Sequence, residues 1–185
     1  MKSAVVLASL LAAGAVALHF TSALPSNLTG IAFVRRVPDI ALTADTGATV
    51  RLDRMERGAL VVLGYTRCTD ECPPTLAKVA AAARGLPRGA RPNVYFLTVD
   101  PDYDTPAELH RYLAVWHGAV IGLSADRTTL NRVSTSLGTG GGLRQPSDHD
   151  TRLFLIDRQG ELVTDTLSDP SVEELRRILA AEGTR

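Results

Sequence analysis

Two apolar runs of strand length set the strongest limit on the fold. ALVVLGY at residues 59–65 and NVYFLTVD at residues 93–100 are nearly continuous in apolar residues, the pattern of strands buried on both faces of a central sheet. The intervening TLAKVAAAARGL is rich in good helix formers and stops at Gly85 and Pro87. This strand, helix and strand predict a layered α/β fold.

The other segments extend the alternation to strand, helix, strand, helix, strand, helix, strand, strand, helix. Thr105 and Glu108 form a capping box that opens one of these helices. The other predicted elements are a hairpin at PDIALTADTGATVRL, a strand at AVIGLS, a helix at RTTLNRVSTSLG, a hairpin of TRLFLID with ELVTDTL, and a C-terminal helix at SVEELRRILAAEG. The order predicts one three-layer α/β domain of the thioredoxin-like type, with an N-terminal hairpin and an inserted strand and helix.

The N-terminus has the pattern of an export signal. One Lys precedes an uncharged run from Ser3 to Phe20, and small residues follow at 21–23. The run is also close to the length needed to span a bilayer, so an uncleaved anchor is the alternative. We therefore expect residues 1–23 to be an export signal or membrane anchor, 24–37 a linker, and 38–185 the folded domain. The domain is expected outside the cytoplasm, in a bacterial periplasm, either soluble or anchored to the inner membrane.

The charge balance limits the class of partner. Lys plus Arg and Asp plus Glu number 20 each, so the summed charge gives no reason to expect nucleic acid or an anionic membrane surface as a partner.

The stretch GYTRCTDECPPTL, residues 64–76, holds the chain's only two cysteines, Cys68 and Cys72. In an oxidising compartment such a pair is a disulfide, a redox couple or a pair of metal ligands. Because Pro73 and Pro74 disfavour the α region in the residue before each, we expect both cysteines on a loop and the helix to begin at about Pro74. Donors at that helix N-terminus favour the thiolate, which is both the nucleophile and the metal ligand.

The histidines offer few candidates for a third metal ligand. His19 lies in the export segment, and His110 and His117 are separated by about 10 Å along one predicted helix, too far to share an ion. His149 follows a Gly-rich loop and precedes the strand TRLFLID, and in a thioredoxin-like fold that loop lies beside the cysteine loop. From the residues alone, a metal ligand and a surface histidine in a polar turn both stay open.

An ordered set of motifs resembles the SCO/SenC family of copper chaperones. These are thioredoxin-fold proteins that help to assemble the binuclear copper site of cytochrome c oxidase. The matching pieces span roughly residues 38–161 and are PDIALTADTG, LGYTRCTDECPPTL, TVDPDYDTPAELHRYL, IGLS and DHDTRLFLIDRQGEL.

The resemblance implies a ligand set and a cargo. Cys68 and Cys72 match the family's two copper-binding thiols and His149 its imidazole ligand, for Cu(I) or Cu(II). Asp100 matches an aspartate near the site, where it would orient other groups without binding the ion. A turn and cap residue before Pro101 is an equal alternative for Asp100.

Two functions follow from this assignment. The first is a metallochaperone that binds and hands over copper without turnover, so we do not expect an enzyme in the strict sense. Its partner would be the copper-site subunit of cytochrome c oxidase or another copper or thiol protein. The second is an exported thiol-disulfide oxidoreductase that uses Cys68 and Cys72, although their spacing departs from the C-x-x-C of exchange proteins.

Overall fold

A mixed sheet of seven strands runs through the described part of the chain, which comprises residues 35–116, 118–139, 152–164 and 170–183 of a computed structural model. The strand order is β2-β1-β5-β4-β3-β6-β7. β3, β4 and β5 are parallel, whereas β1, β2, β6 and β7 pair antiparallel with their neighbours. The strands are β1 (Ala41–Ala44), β2 (Thr49–Arg51), β3 (Ala59–Gly64), β4 (Asn93–Thr98), β5 (Ile121–Ser124), β6 (Leu153–Ile156) and β7 (Leu162–Thr164).

Helices cover both faces of this sheet. They are α1 (Cys72–Arg84), α2 (Pro106–Leu113), α3 (Arg127–Ser136) and α4 (Val172–Gly183), with 3-10 turns at Arg88–Ala90 and Ala114–Trp116. Helices α1, α2 and α4 pack on one face and α3 on the other. The three-layer α/β class predicted from the sequence is therefore confirmed.

Successive side chains of the central strands point to opposite faces of the sheet and so contribute to two separate cores. In β3, Leu60 and Val62 face α1, whereas Val61 and Leu63 face the core that contains α3. All six residues of β3 are buried, as expected for a strand covered on both faces. Full burial of a Val or Leu side chain contributes about 1.5–3 kcal/mol, so this strand is a large part of the stabilising core.

The predicted hairpins are confirmed, whereas the predicted capping box forms only in part, because the Thr105 N–H donates to the Tyr103 carbonyl at 2.9 Å and the Glu108 carboxylate pairs with Arg111. Gly47 and Gly160 have φ of 83° and 80° in the two hairpin turns, a conformation that glycine adopts without steric cost. Thr105 caps α2 by accepting a hydrogen bond from the Glu108 N–H at 3.2 Å.

The predicted start of α1 is wrong by two residues. The helix begins at Cys72, so this cysteine lies in its first turn instead of on the preceding loop. Prolines are tolerated in a first turn because their missing N–H groups would have no helical acceptor there. Cys72 is 3% exposed and helical, although a residue before proline is biased against the α region.

Several sequence predictions fall outside the described residues. These are the export segment at 1–23, residues 24–34 of the predicted linker, His117 and His149, and they stay predictions. Within the described ranges, no helix combines the length and apolar character needed to cross a bilayer.

Candidate metal centre

Both cysteines follow the carboxyl end of β3, in the parallel centre of the sheet. Gly64 at the end of β3 is in register with Thr98 at the end of β4. The segments that follow the two strands therefore leave the same edge of the sheet side by side. Open α/β sheets form their ligand sites at this edge.

The two thiols are buried together. Cys68 is 9% exposed and Cys72 is 3% exposed, and neither forms a disulfide. The Cys72 thiol is hydrogen-bonded to the Cys68 sulfur. The chain thus holds two sulfur atoms next to each other in a site that largely excludes water.

The surroundings of the two thiols shift their pKa values in opposite directions. Burial opposes ionisation of Cys68, but hydrogen bonds from the backbone and thiol of Cys72 and from the backbone of Glu71 and Asp70 outweigh it, so the pKa of Cys68 lies below its ordinary value. Burial, together with the hydrogen bond to Cys68, raises the pKa of Cys72 to about 12. The predicted effect of donors at the helix N-terminus is therefore seen at Cys68.

The backbone of Tyr65 contacts both cysteines. Its N–H is hydrogen-bonded to the Cys72 sulfur, and its carbonyl accepts a hydrogen bond from the Cys68 N–H at 3.1 Å. The position of this one peptide segment therefore helps to set the position of both thiols.

Asp104 is hydrogen-bonded to Thr66, the residue that follows Tyr65 in the cysteine loop. Its carboxylate accepts hydrogen bonds from the Thr66 N–H at 3.0 Å, from the Thr66 hydroxyl at 2.5 Å and from the Thr98 hydroxyl at 2.5 Å. The side chain is buried, at 1% exposure. Hydrogen bonds to charged groups contribute about 1.5–3 kcal/mol each, so this carboxylate is a strong link between the cysteine loop and β4.

Asp100 binds the residue that follows Thr66. Its carboxylate accepts a hydrogen bond from the Arg67 guanidinium at 2.5 Å, and this contact raises the pKa of Arg67. The guanidinium also lies over the Tyr103 ring, 4.3 Å from its centroid. The Asp100 carbonyl accepts the N–H groups of Tyr103 and Asp104. Asp100 thus has turn contacts through its backbone and a loop contact through its side chain.

An aromatic cluster packs beneath the thiols. The Phe96 and Tyr112 ring centroids are 5.8 Å apart, and those of Tyr112 and Trp116 are 5.4 Å apart. Burial raises the pKa of Tyr112, and negative charge on Cys72 and Cys68 raises it further. Tyr112 therefore lies within electrostatic range of both sulfurs and stays neutral.

Gly64 leaves the space that Cys72 occupies. A Cβ atom at this position would lie 2.8 Å from the Cys72 sulfur and 2.5 Å from Cε2 of Phe96. Both distances are shorter than carbon or sulfur contacts allow, so a side chain here would displace the thiol or the ring.

The structure brings together only part of the predicted ligand set. Cys68 and Cys72 are adjacent, Asp100 lies on the neighbouring loop, and His149 is outside the described residues. Within the described ranges, no group of three or more His, Cys, Asp or Glu side chains is arranged to hold a metal ion. A third ligand for the thiols therefore stays a prediction.

Sequence reasoning missed Asp104 and Gly64. A signal for Asp104 was present in VDPDYDT, where two aspartates stand four residues apart directly after a buried strand. Gly64 had a weaker signal, a glycine at the last position of a strand otherwise rich in Val and Leu.

The fold and the thiol pair together define a class of protein. The chain has a thioredoxin-like α/β fold with a buried pair of cysteines at the N-terminus of the helix after its first central strand.

Comparison with known proteins identifies the family. The SCO1/SenC family model matches residues 35–182, and the chain therefore belongs to the SCO1/SenC family. It is 31% identical over 156 residues to the mitochondrial SCO2 homolog of Bos taurus, covering 74% of this chain and 58% of that protein.

Solved structures of the family share the fold. Copper-bound ScoI of Bradyrhizobium japonicum is 28% identical with a TM-score of 0.68, covering 80% of this chain and 99% of that one. Copper-bound ScoI of Arabidopsis thaliana is 25% identical with a TM-score of 0.66, covering 79% of this chain and 96% of that one. The predicted thioredoxin-like fold and the family resemblance are confirmed.

Proposed function

We propose that this protein is a copper metallochaperone that binds its cargo through Cys68, Cys72 and His149. The observation that carries the proposal is the buried pair of thiols, whose sulfur atoms are hydrogen-bonded to each other. Two adjacent sulfurs can bind one ion without a large rearrangement of the chain. The copper-bound ScoI structures support copper as the ion.

The chemistry of the donors fits copper. Thiolates are soft ligands that select Cu(I), whereas an imidazole ligand also suits Cu(II). The lowered pKa of Cys68 supplies one thiolate readily, while Cys72 releases its proton when the ion binds. The aromatic cluster of Phe96, Tyr112 and Trp116 packs in or against the same core as the two thiols.

The proposed acceptor is the binuclear copper site of cytochrome c oxidase, to which the protein would deliver copper or whose cysteines it would prepare. This role is what the SCO/SenC family resemblance implies. The export pattern at residues 1–23 supports action on the extracytoplasmic side, in a bacterial periplasm, as a soluble or membrane-anchored protein.

The proposal can be tested by a transfer experiment. The copper-loaded domain is mixed with the metal-free, reduced copper-binding domain of the oxidase subunit, and the absorbance of the binuclear site is followed. We expect the absorbance to appear with wild type and to be absent with Cys68→Ser or Cys72→Ser. Equal transfer from the variants, or no transfer from a copper-loaded wild type, would refute delivery.

The asymmetry of the two thiols favours a second candidate, thiol-disulfide exchange. Cys68 is the less buried thiol and has the lowered pKa, while Cys72 stays protonated beside it. This is the arrangement of an attacking thiol with a second thiol in reserve. The two functions are separated by His149, because copper binding depends on this residue in our proposal and dithiol exchange does not.

A further inference from the structure

The Asp104 carboxylate links the segment before α2, on which it lies, to the cysteine loop and to the end of β4. It accepts three hydrogen bonds from two threonines, Thr66 in the cysteine loop and Thr98 at the end of β4. Thr98 in turn accepts a hydrogen bond from the Asp100 N–H at 3.0 Å. The loop after β3 and the loop after β4 are therefore joined through one buried side chain.

Asp104 is itself held by rigid structure. Its N–H donates to the Asp100 carbonyl at 2.8 Å, and it directly precedes Thr105, the N-cap of α2. The carboxylate therefore has a fixed position relative to α2 and to the end of β4. Thr66, which the carboxylate binds on the cysteine loop, therefore has a fixed position relative to α2 and β4 as well.

The bonds to Thr66 transmit that position to both sulfurs. Thr66 uses both its N–H and its hydroxyl on Asp104. Tyr65, the residue before it, is hydrogen-bonded through its backbone to the Cys72 sulfur and to the Cys68 N–H. A shift of Thr66 would move the peptide segment on which the mutual placement of the thiols depends.

The chemistry of the site also argues for a role in positioning. A buried carboxylate is costly unless its oxygens are fully hydrogen-bonded, and apolar residues often stabilise an equivalent site as well or better. An aliphatic residue at 104 could fill the volume, but it could not orient the N–H and hydroxyl of Thr66 together. The carboxylate fixes both the orientation of Thr66 and its distance from residue 104.

We propose that Asp104 is the positioning residue of the thiol pair, holding Cys68 and Cys72 at the separation required for joint reaction or joint binding of one ion. This inference rests on the proposed function for its copper consequence. Its consequence for the reaction between the two thiols is independent of copper.

The test uses variants that change hydrogen bonding with little change in shape. Asp104→Asn replaces one acceptor oxygen by an N–H donor, and Thr66→Val removes the hydroxyl while keeping the branched shape. Thr66→Ser keeps both donors and is the rescue variant. Asp126→Ala is the matched control, because Asp126 also accepts an N–H and a hydroxyl from one threonine, Thr129, in the N-cap of α3.

The first readout is closure of the disulfide by oxidised glutathione in the reduced, metal-free protein. One cysteine sulfur attacks the glutathione disulfide and releases one glutathione, and the other cysteine then attacks the mixed disulfide and releases the second. The two thiol protons and the two electrons pass to the two glutathione molecules, which are released as thiols. We expect the second step to slow about tenfold or more in Asp104→Asn and Thr66→Val, because small misplacements of reacting atoms have large effects on rate.

The second readout is retention of Cu(I) against a chelator. We expect affinity to fall about tenfold in Asp104→Asn, the scale typical of residues that orient metal ligands. Thr66→Ser should behave like wild type in both assays. Asp126→Ala should lower the melting temperature without changing closure or retention.

The outcomes separate the two proposals. If wild type retains no copper, the copper function fails, and the closure rates alone still decide the role of Asp104. If Asp104→Asn does not fold, Thr66→Val and Thr66→Ser provide the same comparison. Wild-type closure in Thr66→Val, and in Asp104→Asn where it folds, with only a lower melting temperature as in Asp126→Ala, would overturn the inference.

Discussion

The two cysteine side chains share one site, but they differ in how easily each loses its proton. N–H groups of Cys72, Glu71 and Asp70 are hydrogen-bonded to the Cys68 sulfur, whereas the Cys72 sulfur is more deeply buried and hydrogen-bonded to Cys68. The Cys68 sulfur therefore ionises at lower pH than the Cys72 sulfur, which donates a hydrogen bond to it. The difference follows from position along the chain, because only Cys68 faces the N–H groups at the start of α1.

This difference predicts a distinct pH profile for alkylation of the reduced, metal-free protein by iodoacetamide. The thiolate is the reactive form, so a lowered pKa means that Cys68 reaches its full rate at lower pH than an ordinary cysteine. The midpoint for Cys68 should lie below 9.0, the ordinary value, while Cys72 stays unreactive until the pH approaches about 12. Mass spectrometry of each modified cysteine gives both profiles, and coincident midpoints for the two residues would contradict the assignment.

His149→Ala should weaken copper retention selectively for Cu(II). Two thiolates can still hold Cu(I) linearly, whereas Cu(II) prefers an imidazole ligand. The sequence places His149 in a polar segment, so we expect the free energy of unfolding to change by no more than about 0.5 kcal/mol.

The measurements are the Cu(II) charge-transfer absorbance, the melting temperature and the dithiol redox potential, with His110→Ala as the matched control. His110 is exposed on α2 and its ring lies 3.6 Å from the Asp45 carboxylate, away from the thiols. Unchanged Cu(II) absorbance in His149→Ala would leave thiol-disulfide exchange as the better function.

The cysteines were predictable from sequence, whereas their supporting residues were not. A pair of cysteines in an otherwise cysteine-free chain has few chemical interpretations. Asp104 is different because its role depends on bonds to Thr66 and Thr98, which become its neighbours only when β3 and β4 pair. A single sequence gives no direct information on such contacts between distant segments.

At the scale of single elements, the end of β3 and the start of α1 pack directly against each other, with Gly64 beside Cys72. Helix α1 begins at Cys72, and the backbone N–H groups of Cys72, of the N-cap residue Glu71 and of Asp70 are hydrogen-bonded to the Cys68 sulfur. The sequence predicted that a helix follows the cysteines but placed its start at Pro74. The boundary could not be read because proline favours a first helical turn and also disfavours helix in the residue before it.

Gly64→Ala tests the packing between these two elements. The added methyl would meet the Cys72 sulfur and the Phe96 ring, and overpacking of a filled core costs about 1–3 kcal/mol. We expect this loss of unfolding free energy in urea, together with slower closure of the disulfide.

Gly89→Ala is the matched control, because a Cβ atom at Gly89 would have no atom within 4 Å. It should leave both quantities near wild type. Equal stability of the two variants would show that the space beside Gly64 is not needed by Cys72.

At the scale of the whole molecule, the sheet brings its two cores and the thiol site together. Cys68 and Cys72 belong to the core between the sheet and helices α1, α2 and α4, so the site is continuous with the folded interior. The fold class followed from the sequence because continuous apolar strands alternate with segments rich in helix formers. The strand order could not be derived from these patterns, since it depends on long-range pairing such as that of β3 with β6.

The most direct test of the central claim is the copper content of the reduced domain from residue 35 onward after loading and removal of excess metal. One pair of thiols is available, so elemental analysis should give one copper per chain in wild type and none in the Cys68→Ser, Cys72→Ser double variant. No retained copper in wild type, or equal retention in the double variant, would contradict the assignment of the buried thiol pair as a copper site.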